Sequence, residues 1–204
     1  MELSKIECEL HKRLDYPYRW GRAQADDWDK RTNFIYSTDL FSDLLARTRS
    51  FSPELRDYAL NRWYNFWSAM AVEHIFATHR NVLANKNKRD KLIDFSINGI
   101  SFDHKTSIFP KAYEASLAYA LEYKNDLIDW LYKHQSQQGR KHLESRLFVV
   151  LYDTHQEAHW KMKAEISLLK EQVDKYVENF DRNNLVTLNF GNGEVYADII
   201  WVLK

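Results

Sequence analysis

Residues 92–107 read Leu-Ile-Asp-Phe-Ser-Ile-Asn-Gly-Ile-Ser-Phe-Asp-His-Lys-Thr-Ser. Asn98-Gly99 lies between two runs in which apolar and polar side chains alternate, and this dipeptide is the strongest short signal for a two-residue hairpin turn. A tight turn fixes the register, so that Phe95 faces Phe102 and Asp94 faces Asp103. The stretch therefore predicts a β-hairpin with one apolar face and one acidic face.

The acidic face of this hairpin predicts a cation site. Two carboxylates directly opposite each other lie roughly 5 Å apart and destabilise a sheet, so we expect a cation between Asp94 and Asp103. Lys105 projects from the same face, and the backbone carbonyl of His104 offers one more oxygen. This set suits Mg²⁺ or Mn²⁺ holding a phosphate. The alternative is a solvated strand face on which Lys105 pairs with the two carboxylates.

A third acidic group precedes the hairpin. Ser52 followed by Pro53 is a typical helix start, and the helix is predicted to run to about His79. Glu73 lies in it among apolar residues three and four positions away, where burial is costly unless the carboxylate is paired or binds a metal. The alternative is a glutamate at the rim of the apolar stripe that reaches water or a basic side chain.

This combination of residues resembles the PD-(D/E)XK nuclease superfamily. The resemblance covers about Trp63 to Tyr152, and it rests on Glu73, Asp94 and the Asp103-x-Lys105 pattern. It implies a restriction-endonuclease-like fold, a mixed central β-sheet flanked by helices. It also implies that both aspartates bind Mg²⁺ or Mn²⁺, that the lysine assists the attacking water and that the glutamate assists the metal.

Three features of the sequence depart from the family pattern. Ile93 stands where a proline is usual before the first aspartate, and Asp103 stands where glutamate is commoner. The long stretch Lys111–Ser136, predicted to be helical, also separates the hairpin from the next strand. The first two departures concern the motif, and the third leaves the correspondence of the later strands open.

The segment that enters the hairpin is basic. It contains the predicted phosphate contacts Lys86, Lys88, Arg89 and Lys91, and the alternative is an ordinary solvated loop. The 29 basic and 29 acidic side chains cancel, so net charge gives no argument for nucleic-acid binding. The preference for DNA over RNA as the partner comes from the resemblance alone.

The function expected from these observations is a metal-dependent nuclease that hydrolyses phosphodiester bonds. Two rival functions stay open. One is a non-catalytic module on the same fold that binds nucleic acid or protein. The other is a metal-dependent hydrolase of a small phosphorylated molecule, which a deep, narrow pocket over Asp94 and Asp103 would favour.

The rest of the sequence predicts one mixed α/β domain. Leu147–Tyr152 is a continuous apolar run typical of a strand buried on both faces. Thr154 and Glu157 form a capping box that predicts a helix to about Phe180, and two strands follow, Leu185–Phe190 and Val195–Leu203. His155 and His159 lie four residues apart on this predicted helix, as zinc ligands do, but no further ligand is identifiable, which favours two surface histidines.

Length and composition set the remaining expectations. The 204 residues suit a single domain, with an irregular, partly helical part at 1–50 and a nuclease-like core at 51–204. The single Cys8 excludes an internal disulfide. Neither a basic-then-apolar leader nor a run of about 18 apolar residues occurs, so we expect a cytoplasmic protein without a membrane partner. The oligomeric state is left open, a homodimer included.

Overall fold

A computed structural model describes residues 1–20, 26–85, 92–134, 144–190 and 193–204. The chain divides into two compact units. The first unit contains Met1–His74 and Lys163–Leu169, and the second contains Ile75–Met162 and Lys170–Lys204. Two helices run across this division, and the expectation of a single domain stays a prediction.

The first unit is helical. Its elements are α1 (Leu3–Lys12), α2 (Asp26–Thr32), α3 (Phe41–Arg47) and most of α4 (Pro53–Ala77), together with two short 3₁₀ turns, Arg13–Asp15 and Asn33–Ser37. The predicted start of the long helix is confirmed: the hydroxyl of Ser52 accepts a hydrogen bond from the backbone N–H of Leu55, and Pro53 is the first helical residue. Fully buried Trp63 anchors α4 by donating its Nε1–H to the carbonyl of Thr38 at 2.6 Å.

The second unit is built on a six-stranded mixed sheet. Its strands are β1 (Val82–Ala84), β2 (Phe95–Ile97), β3 (Ile100–Ile108), β4 (Arg146–Tyr152), β5 (Val186–Asn189) and β6 (Glu194–Leu203). The order is β1-β2-β3-β4-β6-β5, in which β3, β4 and β6 run parallel and the other neighbours are antiparallel. The predicted α/β class with a mixed sheet flanked by helices is therefore confirmed.

The predicted hairpin forms, with the expected register at the three pairs next to the turn. Phe95 pairs with Phe102, Ser96 with Ser101 and Ile97 with Ile100. Asn98 has a φ of 47° and Gly99 a φ of 83°, the left-handed values that a two-residue turn between twisted strands requires. The apolar face contains Phe95 and Phe102, both almost fully buried, so burial and turn geometry select the same register.

Strand β4 is also confirmed. Six of its seven residues are buried and only Tyr152 is partly exposed, as expected for a strand covered on both faces. It begins one residue earlier than predicted, at Arg146, and this arginine is itself almost fully buried. The sheet therefore takes a charged residue into its interior at the start of its most apolar strand.

Two predicted helices differ from the structure. The stretch Lys111–Ser136 contains two helices, α5 (Leu117–Glu122) and α6 (Lys124–Lys133), because the backbone at Tyr123 has a non-helical φ of −117° and ψ of 59°. Ser116 caps α5 by accepting a hydrogen bond from the N–H of Tyr119, which places the helix start six residues later than predicted. Residues 135 and 136 lie outside the described part of the chain.

The capping box predicted at Thr154 is wrong. Its hydroxyl donates to the carbonyl of Lys204 at 2.6 Å and is not used as a helix cap. The segment that follows is irregular and then forms a 3₁₀ turn, His159–Ala164, before helix α7 begins at Ile166 and ends at Glu178. His155 and His159 are therefore not on one face of an α-helix.

A helix must be long and apolar to span the hydrocarbon core of a bilayer. Within residues 1–20, 26–85, 92–134, 144–190 and 193–204, no helix meets this requirement.

Candidate metal and phosphate site

The carboxylate of Asp94 is bound by His104. Asp94 comes directly before β2, and its Oδ2 accepts hydrogen bonds from the backbone N–H of His104 at 2.8 Å and from the ring Nδ1 of His104 at 2.9 Å. An ionised carboxylate only accepts hydrogen bonds, so Nδ1 carries a proton, and in the neutral ring Nε2 carries the lone pair. The two residues form a pair in which the carboxylate fixes the tautomer and the orientation of the ring.

The His104 ring is held in an apolar setting. Its centroid lies 6.2 Å from those of Phe76 and Phe95, and the two phenylalanines stack on each other at 4.3 Å. The side chain of His104 is only 3% exposed. Nε2 is buried without a hydrogen-bond partner among the described residues, which is uncommon because buried polar atoms are normally bonded.

Asp94 is ionised at neutral pH. Its partial burial would by itself raise the pKa of the carboxyl group, but hydrogen bonding and charge from His104 outweigh that effect, with a smaller contribution from Lys105. The pKa of Asp94 is therefore below its ordinary value. The other carboxylate oxygen of Asp94, Oδ1, makes no hydrogen bond within the described part of the chain.

Asp103 has different partners. Its Oδ2 lies 2.6 Å from Nη2 of Arg146, and its Oδ1 lies 3.6 Å from Nζ of Lys105. The first pair is almost fully buried, whereas the side chain of Lys105 is 57% exposed. The guanidinium of Arg146 also lies over the rings of Tyr132 and Phe148 at 5.7 and 5.9 Å. The carboxylate thus has a fixed buried cation on one side and an exposed ammonium on the other.

The predicted opposition of Asp94 and Asp103 is not the arrangement observed. The ladder ends at the Phe95–Phe102 pair, and the N–H of Asp94 donates to the carbonyl of Phe102 at 2.9 Å. His104 shares a strand face with Phe102, whereas Asp103 and Lys105 lie on the opposite face. Asp94 therefore bonds to His104, whereas Asp103 pairs with Arg146 and Lys105. The metal-ligand roles assigned to both aspartates, and to the His104 carbonyl, stay predictions.

Arg146 was missed by the reasoning from sequence. The residue faces Asp103 in the parallel register of β3 and β4, and about forty residues of chain separate the two. Its only local signal is its place, directly before the apolar run Leu147–Tyr152. A charged residue at the edge of a strand buried on both faces needs a buried partner, and the acidic residues of the hairpin were the candidates.

Glu73 lies in the part of α4 that belongs to the first unit, and it is partly buried. It precedes Phe76 by three residues, and residues at this spacing share a helix face. Phe76 is the residue that stacks on Phe95 in the second unit. The four predicted phosphate contacts, Lys86, Lys88, Arg89 and Lys91, lie outside the described residues.

A cavity of about 370 Å³ adjoins the Asp103 side of the hairpin. Asp103 donates its backbone N–H to the carbonyl of Ser145, a cavity residue, at 3.0 Å. Arg182 also lines the cavity, and its Nη2 donates to the hydroxyl of Tyr196 at 2.7 Å. The remaining lining residues are Ile93, Gly99, Ile100, Ser101 and Glu144.

Comparison of the chain with protein-family models, with curated proteins and with solved structures found no match.

Proposed function

We propose that the chain is a metal-dependent nuclease that hydrolyses phosphodiester bonds, with DNA as the substrate favoured by the family resemblance. Asp94 and His104 hold the divalent cation, and Lys105 meets the phosphate. The observation that carries the proposal is the Asp94–His104 contact, which leaves one carboxylate oxygen and the buried Nε2 without hydrogen-bond partners among the described residues.

The donor atoms support a cation at this position. A histidine that binds a metal usually donates its other ring N–H to a carboxylate, which leaves the ligating nitrogen deprotonated, and this is the tautomer fixed by Asp94. Imidazole suits transition metals better than Mg²⁺, which prefers oxygen ligands. Of the two expected metals, the donor set therefore favours Mn²⁺.

Glu73 is the third ligand that we assign. The assignment follows the family resemblance and the position of Glu73, a partly buried carboxylate one turn before Phe76 on the same continuous helix. A second carboxylate would add the negative charge that a divalent cation requires. Glu73 is thus the residue whose contribution the metal-binding experiment measures separately.

A bound divalent cation would supply Lewis-acid activation of water and would stabilise negative charge on the phosphate. The protein's own contribution comes from its charged side chains. Lys105 lies on the face of β3 opposite His104, but its charge helps to lower the pKa of Asp94, so we assign its exposed ammonium a charge-assisted hydrogen bond to a phosphate oxygen. Asp103 pairs with this ammonium at 3.6 Å. Asp103 in turn is fixed by Arg146, so it would join the cation only by giving up a buried ion pair.

The test combines metal binding with cleavage. Mn²⁺ affinity is measured by calorimetry, and plasmid, linear and single-stranded DNA and RNA are incubated with Mn²⁺ or Mg²⁺. We expect D94N and E73Q each to weaken Mn²⁺ binding at least about tenfold, and K105A to lower the cleavage rate about 100-fold with Mn²⁺ affinity retained. K133A is the matched control, because Lys133 pairs with Asp129 on the exposed face of α6.

Two results would remove the proposal. Cleavage that survives in D94N or K105A would exclude the assigned site. Wild-type protein that neither binds Mn²⁺ nor cleaves any of these substrates would favour the non-catalytic interaction module.

A second candidate function is hydrolysis of a small phosphorylated molecule. The 370 Å³ cavity beside Ser145 has a volume that suits a small ligand better than a duplex, and Arg182 in its wall offers a cation to a phosphate. Asp94 and Asp103 are not among its lining residues, so the predicted pocket over the two aspartates is not the one observed. Incubation with para-nitrophenyl phosphate and bis(para-nitrophenyl) phosphate under the same metal conditions separates the two functions. Turnover of these esters without cleavage of any nucleic acid would select the small-molecule hydrolase.

A further inference from the structure

A larger cavity lies at the carboxyl edge of the parallel strands. Its volume is about 530 Å³, and its walls come from the segments that leave β3 and β4: Lys111, Tyr152, Asp153, Thr154, His155, Gln156, Glu157 and His159. Open α/β sheets bind their ligands outside the carboxyl ends of their strands. Asp103 and Arg146 are near the amino end of β4, so this cavity is distinct from the site described above.

The loop after β4 is held by specific hydrogen bonds. The carboxylate of Asp153 accepts from the N–H of His155 at 2.9 Å and from Nε2 of Gln156 at 2.6 Å. Both backbone and side chain of Thr154 donate to the carbonyl of Lys204 at 2.6 Å. Asp153 is only 3% exposed, and both of its oxygens are used inside the loop. The loop that forms the cavity wall is therefore held in place by its own hydrogen bonds.

His159 is fixed in one tautomer. The backbone N–H of Asp153 donates to its Nδ1 at 3.1 Å, and a backbone N–H can only donate. Nδ1 is therefore an acceptor without a proton, and the proton of the neutral ring lies on Nε2. Tyr152 stacks on the ring at 4.5 Å between centroids, which fixes the ring plane as well.

This tautomer decides what kind of ligand the cavity takes. A metal ion at Nε2 would need the proton on Nδ1, where the N–H of Asp153 leaves no room for it. The spacing of His155 and His159 that is typical of zinc ligands therefore does not act as a zinc pair here. An Nε2–H is a donor, and the positively charged Lys111 also lines the cavity, so the matching ligand group is an oxyanion.

We propose that this cavity binds a small molecule through a phosphate or carboxylate group held by His159 Nε2–H and Lys111. The volume lies in the range of ordinary small-molecule sites. Tyr152 gives one wall an aromatic surface for the apolar part of the ligand. Glu157 is exposed and opposes an anion, so its charge sets a limit on the affinity.

The test is a titration of ¹⁵N-labelled protein followed by NMR. Long-range ¹⁵N–¹H correlations report the tautomer of His159, and sodium phosphate, sodium acetate and sodium chloride are added at matched ionic strength. We expect the proton of His159 on Nε2, and we expect phosphate, acetate or both to shift the His159 and Lys111 signals with a Kd on the order of 1–10 mM. The phosphate and acetate arms distinguish the two oxyanion sources, and chloride reports screening alone.

Three variants sharpen the result. H159N keeps an acceptor for the Asp153 N–H and removes the Nε2 donor, so it separates binding from loop structure. H159N and K111M should each weaken oxyanion binding about fivefold or more, whereas E157Q should tighten it, since charge-assisted contacts gain or lose on the order of 1 kcal/mol. Backbone amide spectra of each variant check that the loop remains folded.

Several outcomes would overturn the proposal. A proton found on Nδ1 of His159, or Zn²⁺ binding at Nε2, would exclude the donor role. Equal shifts with chloride and phosphate would reduce the effect to screening. Folded H159N and K111M that bind phosphate and acetate as the wild type does would place the oxyanion elsewhere.

Discussion

Asp103 and Arg146 form a buried ion pair, 2.6 Å between Oδ2 and Nη2, at the first paired position of the parallel strands β3 and β4. The side chains are 8% and 2% exposed. Burial of two charges costs several kcal/mol per ion, and the pair offsets that cost only while both partners are present. The pair therefore makes the sheet sensitive to the loss of either charge.

We expect D103N to lower the free energy of unfolding by about 3–5 kcal/mol, because it leaves the Arg146 guanidinium buried without a compensating charge. Urea unfolding followed by circular dichroism measures the change. The double variant D103L/R146M is the control, since replacing a buried pair by apolar residues of similar volume is often neutral or stabilising. A D103N protein within about 0.5 kcal/mol of the wild type would contradict this role.

The same variant separates two roles for Asp103. If this carboxylate serves to hold Arg146 and Lys105, D103N weakens folding and leaves Mn²⁺ affinity at the wild-type level. If it is a metal ligand, as the family resemblance implies, D103N lowers Mn²⁺ affinity as D94N does. Calorimetry on both variants under conditions where each is folded distinguishes the two roles.

Lys163, in the first unit, predicts a pH dependence of stability. Burial lowers the pKa of its ammonium group from 10.5 to about 8, although its Nζ donates to Oδ1 of Asn65 at 2.6 Å. Between pH 8 and 10.5 the unfolded chain binds more protons at this site than the folded chain does. Stability must then rise with pH across that window. Below pH 8 the full free-energy cost of burying the charged ammonium lowers the stability of the folded chain.

We expect K163M to be more stable than the wild type at pH 7, by on the order of 1–2 kcal/mol because the residue is partly exposed. The difference should shrink as the pH approaches 10.5. Urea unfolding of both proteins from pH 7 to 10.5 measures it, and taking the difference removes the titration of the other lysines and tyrosines. A constant difference across this range would show that the lysine has an ordinary pKa.

The turn at Asn98-Gly99 predicts a purely conformational cost. Gly99 has a φ of 83°, and a Cβ added there would meet nothing within 4 Å. We expect G99A to lower the free energy of unfolding by about 1 kcal/mol, through the strained backbone and without a clash. S101A, an exposed change in the next strand, is the control and should stay within about 0.5 kcal/mol. Equal stability of G99A and wild type would contradict the left-handed turn.

The features predicted correctly from sequence are those set by neighbouring residues. The turn dipeptide and the apolar alternation both act within ten residues, so the hairpin register followed from them. The orientation of Asp94 did not, because this residue lies one position beyond the ladder, where a side-chain hydrogen bond to His104 replaces strand pairing.

Contacts between distant parts of the chain could not be predicted in this way. Nothing near Arg146 in sequence indicates that Asp103 will face it across a parallel pair. The helix expected from Thr154 failed for the same reason, because the carbonyl of Lys204 took the hydroxyl that the capping box required. The sequence therefore identifies individual candidate residues of the site, but only the tertiary structure shows which of them contact one another.

The buried charge in β4 has a consequence for how the sheet selects one alignment. A strand that is apolar on both faces has no inside–outside alternation, so hydrophobicity alone cannot distinguish correct pairing from slipped pairing. A slip of one residue would leave Asp103 and Arg146 apart in the interior, and a slip of two in one direction would bring Arg146 against Lys105. The ion pair thus stabilises the observed register of β3 and β4 relative to registers shifted by one or two residues.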